Sequence, residues 1–146
     1  MVSPVRKVEK MDLADKTPEA IGEPLKGINV LVVEDDDVSA KYLDRILSKA
    51  GAEYRILESF AKMKEYCSLD ICPNVVLLDI ALVGANGFDC LRWLRKRFSE
   101  RVVVYIAQTA HVFPDEVLSY AEAGFDDFIG KPYNKNELIN VILVNL

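Results

Sequence analysis

The sequence predicts one α/β domain, a five-stranded parallel sheet covered on both faces by helices, and three observations carry that prediction. First, apolar runs such as Val30-Leu31-Val32-Val33 and Val75-Val76-Leu77-Leu78 show no polar alternation, the mark of strands buried on both faces. Second, segments with apolar residues at helical spacing lie between these runs, and Gly51 and Gly124 close two of them. Third, strand and helix signals alternate five times, which implies parallel strands joined by right-handed crossovers.

A chain of 146 residues fits one such domain and buries roughly 68–70% of its unfolded surface without metal or disulfide staples. Its hydrophobic content of 51% and charged content of 28% are those of an ordinary globular protein. A net charge of −5 and a pI near 4.9 argue against direct nucleic-acid binding, which needs clustered Lys and Arg. Cys67, Cys72 and Cys90 are odd in number and form no CxxC pair, so neither a zinc site nor a disulfide framework is expected. No stretch reaches the roughly 18–20 apolar residues of a membrane span. Arg6, Lys7 and Lys10 are not followed by the apolar core of a secretory signal, and a cytoplasmic location is expected.

Residues 1–27 hold Pro4, Pro18, Pro24, Gly22 and Gly27 without sustained periodicity. They read as a linker or tail with one short helical stretch around residues 8–14, and residues 28–146 as the domain. The first strand, 30–33, runs into Glu34-Asp35-Asp36-Asp37. Val38, Tyr42, Leu43, Ile46, Leu47 and Ala50 then predict one face of a helix, with Asp36 or Asp37 as its N-cap. A short strand follows at 54–57. Ser59 predicts the cap of a helix carrying Phe60, Met63 and Tyr66 inward. Cys72-Pro73-Asn74 breaks the chain before the strand that ends at Asp79. Phe88, Leu91, Trp93, Leu94 and Phe98 predict an amphipathic helix with Arg92, Arg95, Lys96 and Arg97 on its polar side. Next come a strand at 102–107, a helix at 115–123, a strand at 127–130, and a last helix from Lys135 whose ending is too apolar for a free tail.

Four strands finish at chemically useful residues: Glu34 and Asp35, Asp79, Thr109, and Lys131. In an open parallel sheet, ligands bind outside the C-terminal strand ends. Taken singly, these residues have plainer roles as a solvated acid cluster, a loop acid, a strand threonine and a surface lysine. At successive ends of one sheet they make a different site. Carboxylates crowded there repel unless a cation joins them, and Mg²⁺ takes oxygen ligands. A transferring phosphoryl group carries charge on three equatorial oxygens. Magnesium would offset one, the Lys131 ammonium a second, and the Thr109 hydroxyl would hydrogen-bond the third.

The stretch 28–146 resembles the receiver domain of two-component response regulators. Val-Leu-Val-Val-Glu34-Asp35-Asp is similar to that family's acidic pair, and Val-Val-Leu-Leu-Asp79-Ile to its phospho-acceptor strand. Gly84-Ala-Asn-Gly87 is similar to the loop that follows. Thr109-Ala110 resembles the switch residue with its small neighbour, and Glu122-Ala-Gly124-Phe-Asp-Asp127-Phe128-Ile-Gly-Lys131-Pro132 resembles the invariant-lysine segment. The separations, 44 residues from Asp35 to Asp79, 30 to Thr109 and 22 to Lys131, fit as well.

The resemblance implies a flavodoxin-like doubly wound sheet of order 2-1-3-4-5 and transfer of a phosphoryl group from phosphohistidine to Asp79. The donor is a histidine kinase or a histidine phosphotransfer domain. It further implies Mg²⁺ held by Asp35, Asp79 and the Ala81 backbone carbonyl, with Glu34 acting mainly through water. A cis Lys131-Pro132 bond is implied too, as is a switch in which Thr109 moves toward the phosphoryl and Phe128 turns inward. The switched surface would lie on the fourth helix, fifth strand and fifth helix, where a homodimer could form, or around the first helix, where a phosphodonor docks. Val83 stands where the family commonly has Pro, a departure that favours a more mobile loop. Ala81 and His111 occupy positions that tune dephosphorylation. The tail resembles the linker entering the C-terminal receiver of a hybrid histidine kinase. A stand-alone regulator remains the alternative for origin, and a non-phosphorylated pseudo-receiver used for protein contact the alternative for function. A phosphatase of the aspartyl-phosphate type would want an Asp where Ala81 stands. A flavin-binding protein would not place Glu-Asp-Asp-Asp after its first strand.

Overall fold

The computed structural model describes residues 22–82 and 86–146. The helix expected around 8–14 and the departure at Val83 lie outside those residues. Five strands, β1 (Asn29–Val33), β2 (Glu53–Leu57), β3 (Val75–Asp79), β4 (Val104–Thr109) and β5 (Asp127–Gly130), alternate with five helices. The helices are α1 (Asp37–Lys49), α2 (Phe60–Cys67), α3 (Gly87–Arg97), α4 (Pro114–Ala123) and α5 (Lys135–Val144). All strand pairs are parallel, in the order β2-β1-β3-β4-β5. The doubly wound, flavodoxin-like arrangement is therefore present.

Strand alternation divides the apolar side chains between two cores. Leu31, Val33, Val76, Leu78, Tyr105 and Ala107 face Met63 and Cys67 of α2, Cys90, Leu91 and Leu94 of α3, and Tyr120 of α4. On the opposite face, Val30, Val32, Val75, Leu77, Ile106 and Ile129 meet Leu43, Ile46 and Leu47 of α1 and Leu138 and Ile142 of α5. The unalternating β1, β3 and β4 required this, because each of them buries both of its faces. Leu25 is fully buried in the second core, and its N–H donates to the Ala50 carbonyl at 2.8 Å.

Local signals set most of the boundaries. Asp36 caps α1 by accepting from the Ser39 N–H, and Ser59 caps α2 by accepting from Lys62. Asn86 caps α3, and Asn134 with Glu137 forms a capping box at α5. Gly124, at φ 110°, ends α4 in the left-handed region. Cys67 and Cys90 are buried, and burial pushes each thiol up to about 11.

Two expectations need correction. Val38 and Tyr42 are not on the inner face of α1; they are 76% and 41% exposed. At 3.6 residues per turn they stand roughly 90–130° away from the centre of the face formed by Leu43, Ile46, Leu47 and Ala50. The fourth strand does not begin at Val102, which is 95% exposed. Pairing with β3 starts at Val75↔Val104 and continues to Asp79↔Gln108. That register moves the strand toward its C-terminus and carries Gln108 and Thr109 into it.

Candidate functional site

The site lies at the C-terminal edge of the sheet, where β1, β3, β4 and β5 end. Glu34 follows β1 and is held to the edge strand by its N–H on the Leu57 carbonyl at 2.9 Å. Asp79 is the last residue of β3, and the next N–H, from Ile80, bonds the Gln108 carbonyl at 3.1 Å. Lys131 follows β5, with its N–H on the Thr109 carbonyl at 2.7 Å. The Lys131-Pro132 peptide is cis. Parallel pairing thus holds all four strand ends at one rim.

Tight backbone contacts surround Asp79. The Asp79 Oδ1 atom accepts from the Ala81 N–H at 3.0 Å. The Gly87 N–H donates to the Ile80 carbonyl at 3.0 Å, which brings the first turn of α3 against the end of β3. A Cβ at position 87 would sit 2.8 Å from the Asp79 carbonyl oxygen, so this approach requires glycine.

The Lys131 ammonium is central. Its Nζ donates to Glu34 Oε1 at 2.8 Å and to Asp79 Oδ2 at 3.1 Å. Glu34 and Asp79 are both buried, at 1% and 7% exposure. Burial, reinforced by Asp79 and opposed by Lys131, pushes the Glu34 carboxyl up to about 7. Burial would depress the Lys131 ammonium, but its two carboxylate partners outweigh that and raise its pKa.

Glu34, Asp35 and Asp79 each offer a carboxylate oxygen, and these atoms lie within 4.8 Å of one another. An all-oxygen donor set of this kind fits a hard cation such as Mg²⁺. Asp36 serves α1 instead: its side chain caps the helix, and the Ser39 N–H lowers its pKa.

Thr109 is buried at the rim, but its hydroxyl is engaged away from Asp79. Oγ1 lies 2.8 Å from Tyr120 Oη and accepts from the His111 N–H at 2.9 Å. Phe128 is half-buried, with its ring centroid 6.4 Å from that of Tyr120. Ala81 and His111 are exposed. The structure therefore gathers Glu34, Asp35, Asp79 and Lys131 into one cluster and sets Thr109 and Phe128 beside it around Tyr120.

Tyr120 and Gln108 escaped the sequence reading. Tyr120 carries only the signal of an aromatic four residues before a helix-ending glycine. Gln108 followed what read as a strand end, and it accepts from the Tyr133 hydroxyl at 2.7 Å.

A doubly wound parallel sheet with an acid–lysine cluster at its C-terminal rim defines the class of phospho-accepting α/β signalling domains. Residues 30–143 match the response regulator receiver domain family, and the chain belongs to it. It is 31% identical over 127 residues to hybrid signal transduction histidine kinase C of Dictyostelium discoideum, covering 82% of this chain and 10% of that protein. It is 35% identical over 112 residues to sensory transduction protein RegX3 of Mycobacterium tuberculosis, covering 76% of this chain and 47% of that protein. The chain thus spans half or less of these relatives. The chemotaxis protein CheY4 of Vibrio cholerae superposes with a TM-score of 0.75 at 18% identity, over 82% of this chain and 98% of that one, which is a likeness of fold alone. The chain is a receiver domain of two-component signalling. Among the described residues, no helix is long and apolar enough to cross a membrane.

Proposed function

We propose that Asp79 is the phospho-acceptor and that the rim catalyses its Mg²⁺-dependent phosphorylation by phosphohistidine. The observation that carries this reading is the Lys131 ammonium bonded at once to Glu34 and Asp79, within a cluster that includes Asp35. An Asp79 carboxylate oxygen attacks phosphorus in line. The phosphorus–nitrogen bond to the donor imidazole breaks, its electron pair stays on nitrogen, and an acyl phosphate forms. Asp35, Asp79 and the Ala81 carbonyl would hold the cation, with Glu34 acting beyond them. Bound Mg²⁺ would supply charge neutralisation for the phosphoryl oxygens. Lys131 pairs with a second oxygen, and the Thr109 hydroxyl donates to the third. Little covalent work remains for the protein, so positioning and electrostatics supply the rate.

The donor is a histidine kinase or a phosphotransfer domain, and likeness to hybrid kinases of Dictyostelium discoideum supports the receiver of such a kinase as the origin, with a cytoplasmic site of action. Exposed Val112, Phe113 and Leu118, at and before α4, support an output surface on α4, β5 and α5 that contacts a partner or a second copy.

Incubation with Mg²⁺ and acetyl phosphate tests the assignment. One phosphoryl group is expected by mass, stable in acid and labile in base, and absent in Asp79→Asn. Absence of any gain in the parent protein would favour a non-phosphorylated contact module.

A further inference from the structure

The distances around Thr109 favour Tyr120 as the acceptor of its proton. Tyr120 Oη lies 2.7 Å from the His111 carbonyl oxygen and 2.8 Å from Thr109 Oγ1. A carbonyl can only accept, so the single phenolic proton goes to His111. The Thr109 hydroxyl then has two acceptors in reach, Tyr120 Oη at 2.8 Å and the His111 carbonyl at 3.3 Å, and the shorter contact takes its proton, while its own oxygen accepts from the His111 N–H at 2.9 Å. Thr109 and Tyr120 are 2% and 4% exposed, which leaves little room for water to compete. The Tyr120 ring is held by Phe88, Phe125 and Phe128, with centroids 6.1, 6.5 and 6.4 Å away, so its hydroxyl is aimed rather than free. Phe128, on β5, has no hydroxyl to offer.

We propose that Tyr120 is a positioning residue for phosphoryl transfer: it holds the Thr109 proton before transfer and gives it up when Thr109 turns to the phosphoryl oxygen. This rests on the acceptor role proposed for Asp79. Helix α4 then senses the phosphoryl group through the Tyr120 hydroxyl, the group that loses a hydrogen-bond donor when Thr109 rotates. The His111 carbonyl keeps Tyr120 as its donor throughout, while turning Thr109 gives up its bonds to Tyr120 Oη and from the His111 N–H and gains one at the phosphoryl.

The test is the initial rate of phosphoryl gain from acetyl phosphate and Mg²⁺ in four proteins: parent, Tyr120→Phe, Thr109→Val and the double variant. Tyr120→Phe keeps the ring and frees the Thr109 donor. Its rate should rise roughly 2- to 10-fold, the range one neutral hydrogen bond is worth. In the Thr109→Val background the same change should do nothing, because the effect passes through that hydroxyl. An unchanged rate in Tyr120→Phe, or an equal change in both backgrounds, overturns the proposal. No phosphoryl gain in the parent defeats the Asp79 assignment instead. Should Tyr120→Phe fail to fold, the parent labelled with ¹³Cζ-tyrosine gives the answer. The Tyr120 resonance should shift when Mg²⁺ and beryllium fluoride are added, and a stationary resonance refutes the role.

Discussion

At the scale of single residues, the site depends on one lysine serving two carboxylates. Glu34 has essentially no contact with water, and Lys131 is its ion-pair partner at 2.8 Å. Removing that partner leaves a buried carboxylate to protonate or pay for its charge. Lys131→Met is therefore expected to lose about 1.5–3 kcal/mol, the worth of a hydrogen bond to a charged group, measured by urea unfolding. The pH dependence has a definite sign. Glu34 titrates near 7 in the folded protein against an ordinary 4.5, so between those values the fold holds a proton that the unfolded chain has released. This group's contribution to stability falls as pH rises through that window and levels off above 7. Without Lys131 the folded value climbs further, and the variant's deficit should widen between pH 6 and pH 9. A deficit that stays flat would mean that Glu34 is not the group left unpaired. Asp79 and Lys131 were legible because each ends an apolar strand, where packing gives no reason for a charge. Tyr120 was not, because nothing in a helical aromatic's sequence context says that its hydroxyl turns back to the end of a strand.

At the scale of elements, the existence and type of each strand were readable, while register was not. Apolar runs marked β1, β3 and β4, but only pairing with β3 decides that β4 spans Val104–Thr109 rather than starting at Val102. The same limit applies to α1, whose apolar residues cover more than one face. Loop chemistry was more informative. Gly87 opens α3 beside Asp79, and its hydrogen in place of a side chain lets the helix start touch the strand end. The Asp79 carbonyl and Ile80 Cα would lie 2.8 and 2.9 Å from an added Cβ, and both are backbone, so neither can swing aside. Gly87→Ala should cost about 1–3 kcal/mol, the usual range for overpacking. A lowered urea midpoint at unchanged slope would report it. Phosphoryl gain at Asp79 should slow as well, since the Ala81 N–H that orients Oδ1 belongs to the same loop. A variant as stable as the parent would show that α3 can move away without loss.

At the scale of the whole molecule, the rim is a local excess of negative charge built into a protein that is already at −5. Folding brings the Glu34, Asp35 and Asp79 carboxylates together, and the Lys131 ammonium bonds Glu34 and Asp79. Asp79 and Glu34 repel one another, which helps push the Glu34 carboxyl up, and a divalent cation would relieve that repulsion. Asp79→Asn removes one of the charges while keeping an oxygen for the Ala81 N–H, and Lys131 retains Glu34. In EDTA the variant should thus be as stable as the parent or more so. With Mg²⁺ the order should reverse. A ligand that binds only the folded state adds about 2.7 kcal/mol at a hundredfold excess over Kd. For a domain near this size, each kcal/mol raises the melting temperature by about 2–4 °C. The parent has the full donor set and should gain most of that increment, whereas the Asp79→Asn variant lacks a charged ligand and should gain little. Thermal melts of both proteins in EDTA and in Mg²⁺ would reveal the crossing. Parallel shifts of the two proteins would mean that the cation binds elsewhere, and no shift in the parent would mean that the acidic rim binds no magnesium.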